Sequence, residues 1–191
     1  MSAKESERLL LSILSEYLVS LPFDLKVLQE AVADPDLDRA ARDIAAGAIV
    51  HTLLPQEGEG PLRYVDDVLI VRAAFSAVKQ HGGEAFAHFR DRFSETYDKL
   101  DRDVELFKTL GDSWQWFSSK LESFSKLTFK GKKASQYVED DEAQSFLYDE
   151  GLEFETNYNV SDEQVRNRLR RIDQVMEQLN KRRTDDTKKL G

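Results

Sequence analysis

The sequence predicts an all-α protein, a helical bundle packed around one buried central helix (62–81). Three observations carry that expectation. Between Tyr64 and Val78 only Asp66, Asp67, Arg72 and Ser76 are polar, and a helix apolar on every side is normally buried on every side. The run holds neither Gly nor Pro and is long for a strand. Hydrophobic residues make up 40% of the 191 and charged residues 33%. That balance gives a real core but also long exposed helix faces.

Taken in order, the first helix is expected over Lys4 to Leu21. Leu9, Ile13, Leu14, Tyr17, Leu18 and Leu21 share a face, and Pro22 serves as the stop. Leu9 to Leu21 is apolar enough to suggest a signal peptide, but Glu5 and Glu7 precede it, Glu16 interrupts it and no small-residue cleavage site follows. A short helix over 24–33 comes next. Asp34-Pro35 then reads as N-cap and first position of a third helix running to about Leu54. Gly47, inside Ile44–Val50, costs about 1 kcal/mol relative to Ala. Close approach of another helix, expected to be the central one, compensates for it.

Pro55 to Pro61 (PQEGEGP) is a loop. The central helix follows and ends near Gly82-Gly83. Phe86, Phe89, Phe93, Tyr97, Leu100, Val104 and Phe107 then step by three and four, which predicts one long amphipathic helix (83–110), about 40 Å at 1.5 Å per residue. Trp114, Phe117, Leu121, Phe124 and Leu127 form a further stripe. Trp114 is assigned to the core and Trp116, to its side, is the candidate interaction anchor.

Composition changes after Phe129. Gln136 to Val160 carries eight acids and no base, whereas Gln164 to Gly191 carries nine Lys/Arg against four Asp/Glu. This divides the chain into a helical domain (1–128), an acidic aromatic connector with little regular structure (129–160) and a basic amphipathic C-terminal part (161–191). A capping box at Ser161 and Gln164 opens the last helix (161–183). Its stripe of Val165, Leu169, Ile172, Met176 and Leu179, with Arg170 on the basic face, is the candidate interaction surface. It is too short for a free-standing coiled coil and marginal alone in water. It is therefore expected to dock on the 83–110 helix, of the same chain or of a second copy.

Chemistry is sparse. The absence of Cys removes disulfides, thiolate zinc sites and cysteine nucleophiles. A net charge of −9 gives no general attraction to nucleic acid or anionic membranes. No phosphate-binding, dinucleotide or serine-hydrolase motif is present, so no catalytic residue or cofactor is assigned. Asp66 and Asp67 sit where a helix N-terminus favours negative charge, and that is their preferred reading. Adjacent helical residues point about 100° apart and cannot face one metal ion together. The alternative reading joins His51, four residues before Pro55, to Asp66 and Asp67 as a metal or acid–base site. His81 reads as a helix C-terminal residue and His88 as a surface residue. Arg72 reads as buried and paired with an acid from another helix.

Asp34-Pro35, Arg42 to Ala48 (RDIAAGA), Pro55 and Tyr64-Val65-Asp66-Asp67 with the apolar run behind them resemble the YkvA-like family. This is a bacterial helical domain of unknown function, and the resemblance spans residues 34–78. The family loop typically reads PxDLIPD, where this chain has Pro55-Gln56-Glu57-Gly58-Glu59-Gly60-Pro61. The resemblance implies a helical fold and no particular activity. The expectation is a non-enzymatic interaction, adaptor or regulatory protein of the bacterial cytoplasm, whose partner is another protein or a second copy, with no nucleic acid and no membrane. The alternatives are a small metal-dependent hydrolase-like enzyme built on His51 with Asp66 and Asp67, and a peripheral membrane protein using the basic last helix.

Overall fold

The computed structural model describes residues 1–191. Ten α-helices and one small hairpin follow in the order α1 (Ala3–Ala33), α2 (Arg39–Leu53), α3 (Val65–His81), α4 (Phe86–Arg92), α5 (Ser94–Phe107), α6 (Asp112–Ser119), α7 (Leu121–Phe124), β1 (Thr128–Phe129), β2 (Lys132–Lys133), α8 (Asp141–Asn157), α9 (Asp162–Arg168) and α10 (Ile172–Leu190). The two strands pair antiparallel, Thr128 with Lys133 and Phe129 with Lys132. The fold is all-α, and α3 is its axis: every residue from Val65 to Val78 except Ser76 is buried. Helices α1, α2, α5, α6 and α10 pack around it. One continuous hydrophobic core runs from Leu10 in α1 to Leu179 in α10. No helix is long and apolar enough to cross a membrane.

Several local expectations are corrected. Helix α1 runs through Pro22 without stopping. A proline cannot donate to the carbonyl four residues earlier, here that of Leu18. The Tyr158 hydroxyl donates to that carbonyl instead, so a residue 140 positions away supplies the missing donor. At the next junction Asp34 is the C-cap of α1 rather than an N-cap. Its side chain accepts from the Asp36 N–H at 3.0 Å, and α2 begins only after Asp38.

The single 83–110 helix is two. Phe93, at φ −125° and ψ 44°, breaks it between α4 and α5. The break lets the aromatic stripe fold onto itself: the Phe86 and Tyr97 rings meet at 5.0 Å and Phe89 and Tyr97 at 6.2 Å. On one straight helix, residues 86 and 97 would stand about 16 Å apart along the axis.

The acidic segment is not irregular. After the hairpin and a 3₁₀ turn at Ala134–Val138 it forms α8, which buries Ala143 and Leu147 and lies on α1. The Gln29 side chain donates to the Leu147 carbonyl at 2.9 Å across that contact.

The last helix also breaks, at Leu169–Arg171. Helix α9 opens on the Ser161–Gln164 capping box and packs against α1, while α10 packs against α3 and α6. The C-terminal stripe therefore docks within the chain, on those helices and not on the 83–110 segment. Val165 and Leu169 are buried in the first half. In α10 the inward face shifts to Val175 and Leu179, leaving Ile172 and Met176 half-buried. Gly47 is in close contact as expected, but with a different neighbour. A Cβ there would stand 2.6 Å from the Ser125 nitrogen, at the end of α7.

Candidate functional site

Four elements bring one charged cluster together inside the protein. Helix α2 contributes His51 in its last turn and α3 contributes Asp66 and Asp67 in its first. Helix α10 contributes Arg182 and Asp186, and the loop before α3 contributes Gln56. Positions 175, 179, 182 and 186 step by 4, 3 and 4, so Arg182 and Asp186 continue the buried stripe of α10. His51, Asp66, Asp67 and Asp186 are each 0% exposed and Arg182 1%.

The His51 ring is the hub. Its Nδ1 lies 2.7 Å from Asp67 Oδ1 and its Nε2 2.9 Å from Asp186 Oδ2. Asp66 Oδ2 is 3.7 Å from Nε2. The Phe124 ring covers the imidazole at 4.8 Å. Gln56 Nε2 donates to Asp67 Oδ2 at 3.2 Å and to the His51 carbonyl at 3.1 Å. Arg182 reaches Asp66 Oδ2 through Nε at 3.4 Å and the Glu57 carbonyl through Nη1 at 3.4 Å. The loop from Pro55 to Pro61 thus contacts the cluster at both Gln56 and Glu57.

The two aspartates do occupy the first turn of α3, but the helix terminus is only part of their environment. Adjacent in sequence and splayed apart, they face opposite nitrogens of one imidazole. This is how neighbouring residues share a site that they cannot share side by side. Ligand atoms of His51, Asp66 and Asp67 all lie within 4.8 Å of one another.

Electrostatics here are uneven. Burial opposes a charge on His51, yet Asp67 and Asp186 outweigh it and push the imidazole up to about 10. Burial, then the Asp67 charge, raises the Asp66 carboxyl to about 8. Burial also raises Asp67, against the pull of His51. Asp186 moves the other way: the hydrogen bond and charge of His51 prevail over burial and lower it. Asp66 Oδ1, Asp186 Oδ1, Gln56 Oε1 and Arg182 Nη2 are buried without a hydrogen-bond partner. Lys189 Nζ stands at the edge, 3.8 Å from Asp186 Oδ1.

A second buried cluster lies further along α3. Arg72 Nη2 donates to Asp24 Oδ2 at 2.5 Å, the cross-helix pairing the sequence suggests. Its guanidinium carbon lies 3.4 Å above the centre of the Tyr17 ring. The Tyr17 hydroxyl in turn donates to Asp103, which Arg102 also holds at 2.9 Å.

The other candidates are dispersed. His81 and His88 are exposed. Trp116 is half-buried, its ring 5.0 Å from Phe117, 5.7 Å from Lys120 Nζ and 5.9 Å from the Arg183 guanidinium. Arg170 is exposed at the α9–α10 break. Asp186 and Arg182 are the site residues missed by the sequence reading. The available signal was an apolar stripe that continues into two charged residues instead of ending. Five surface cavities are lined by other residues, and His51, Asp66, Asp67 and Asp186 line none of these five. No family model, curated protein or solved structure matches the chain.

Proposed function

We propose that this is a non-enzymatic interaction protein, an adaptor or regulator working through its surface, and that the His51 cluster fastens its C-terminal arm to the core. The observation that carries this reading is the sealing of the cluster. Its four acid–base residues are fully buried, whereas a catalytic group has to meet a substrate in a cleft. Meanwhile large apolar side chains stay in solvent: Phe23 on α1, and Phe146, Tyr148 and Leu152 on α8. Tyr148 and Leu152, four residues apart, share a helix face.

The partner in this reading is another protein or a second copy of the chain, in the cytoplasm, and neither nucleic acid nor membrane is required. The YkvA-like resemblance over residues 34–78 fits a helical scaffold and adds no activity. A hydrolase built on His51, Asp66 and Asp67 has its residues assembled but lacks a path for substrate.

Light scattering over a concentration series, together with a panel of ester, phosphate and peptide substrates in Mn²⁺ and Zn²⁺, tests the proposal. Self-association that falls when Tyr148 and Leu152 become Glu, with an unchanged melting temperature and no turnover, is the expected result. Metal-dependent turnover abolished by His51→Gln would overturn it.

A further inference from the structure

We infer that the His51 cluster is a binding site for one divalent transition-metal cation, coordinated by His51 Nε2, Asp66 Oδ2 and Asp186 Oδ2, with Asp67 holding the imidazole through Nδ1. This goes beyond the surface role proposed above and stands or falls independently of it.

The donor atoms are spaced to share one ion. Two donors each bound about 2.1 Å from one ion, at angles of about 90–120°, stand about 3.0–3.6 Å apart. Nε2 of His51 is 2.9 Å from Asp186 Oδ2 and 3.7 Å from Asp66 Oδ2, close to that range at both ends. On the far side of the ring, Asp67 Oδ1 at 2.7 Å from Nδ1 takes the place a carboxylate occupies behind a metal-bound histidine. There it fixes the tautomer and the ring direction.

A second observation is independent of those distances. The other oxygens of the two proposed carboxylate ligands, Asp66 Oδ1 and Asp186 Oδ1, are both buried without a hydrogen bond. A buried carboxylate oxygen without a partner costs free energy, and bidentate coordination would satisfy both. Charge points the same way. Three buried carboxylates face one buried guanidinium, Arg182, so with the imidazole deprotonated for coordination two negative charges remain. A divalent cation cancels them. Lys189 adds a positive charge only at the rim.

The donor set selects the metal class. One imidazole with carboxylate oxygens suits Mn²⁺, Fe²⁺ or Zn²⁺ better than Mg²⁺ or Ca²⁺, which favour all-oxygen shells. With Gln56, Phe124 and Arg182 closing the surroundings, the ion would join α2, α3 and α10 as a structural centre.

The test uses the full chain, purified without a metal-affinity tag, stripped with chelator and titrated with Mn²⁺, Zn²⁺ and Mg²⁺ by calorimetry. The expected result is one equivalent of Mn²⁺ or Zn²⁺ per chain, binding at least tenfold tighter than Mg²⁺ and raising the melting temperature. Asp66→Asn and Asp186→Asn should each weaken that binding tenfold or more. Asp24→Asn, in the other buried cluster, should not.

A readout that needs no variant is the ¹⁵N spectrum of the three histidines on adding Zn²⁺. His51 Nε2 should shift while its Nδ1 stays protonated. His88, on the surface beside Asp34, Asp36, Asp38 and Glu84, is the internal control for adventitious binding. A shift at His88 alone, or no saturable binding, would overturn the inference and leave an imidazolium bridging two aspartates.

Discussion

Along α3, Arg72 meets Asp24 one to one, with Tyr17 beneath the guanidinium and Asp103 closing the far side. Five and six residues earlier, Asp67 and Asp66 join Asp186 around a single imidazole, with Arg182 as the only guanidinium. Both clusters are buried. In the first, each charge has an opposite charge within contact. In the second, three carboxylates crowd one imidazole and one buried guanidinium, and two of their oxygens accept no hydrogen bond. The difference separates two uses of buried charge. A matched pair is self-sufficient and only has to remain intact. An unmatched set has to draw in a proton or a cation, and this makes it responsive to its surroundings.

The matched pair is expected to give the largest effect when broken. Arg72→Met leaves Asp24 buried without its cation and should cost about 3–5 kcal/mol in urea denaturation. Removing both charges, with Asp24→Leu added, should recover most of that loss. A double variant as unstable as the single one would mean the pair contributes through packing alone.

The wall behind the unmatched cluster is a sharper probe of geometry. Gly47 lies one turn before His51, and a Cβ there would meet the backbone of Phe124 and Ser125 at 2.6–3.0 Å. Since Phe124 covers the imidazole, Gly47→Leu should cost on the order of 1–3 kcal/mol or more through overpacking. An unchanged melting temperature would place α7 further from α2 than described.

The smallest effect concerns a neutral contact that sets the scale for both clusters. Tyr158→Phe removes the donor to the Leu18 carbonyl and should cost about 1 kcal/mol in the same denaturation. The same change in a Pro22→Ala background should cost less, because a backbone N–H at position 22 can then reach that carbonyl.

These contacts also show where the sequence was readable. The central helix was legible because its apolar character is local and continuous. His51, Asp66 and Asp67 were legible as candidates because a short loop separates α2 from α3. Asp186 and Arg182 were not, since 135 positions separate His51 from Asp186 and no local pattern encodes that meeting. Read alone, Arg182 was one more base on a solvated face. Continuity through Pro22 depended on Tyr158 in the same way. The breaks at Phe93 and Leu169–Arg171 follow from aromatic and apolar contacts between segments that a stripe drawn on one straight helix does not contain.

The most direct test of the contrast is to apply one chemical change, Asp→Asn, to each cluster in metal-free protein and follow melting from about pH 6 to 9 in chelator. His51, raised from its ordinary 6.5 to about 10, and Asp66, raised to about 8 among His51, Asp67, Asp186 and Arg182, both hold protons in the folded state that the unfolded chain releases within or below this window. A carboxyl raised in the folded state contributes stability that is complete at low pH and lost as pH climbs through that value. The wild type should therefore lose stability toward the alkaline end. Asp66→Asn should fall less steeply, keeping only the loss through His51, and meet or exceed the wild type there, while Asp24→Asn should lie below the wild type throughout. If Asp66→Asn at the alkaline end were as destabilised as Asp24→Asn, the two clusters would be equally matched, and the account of an unbalanced centre around His51 would be contradicted.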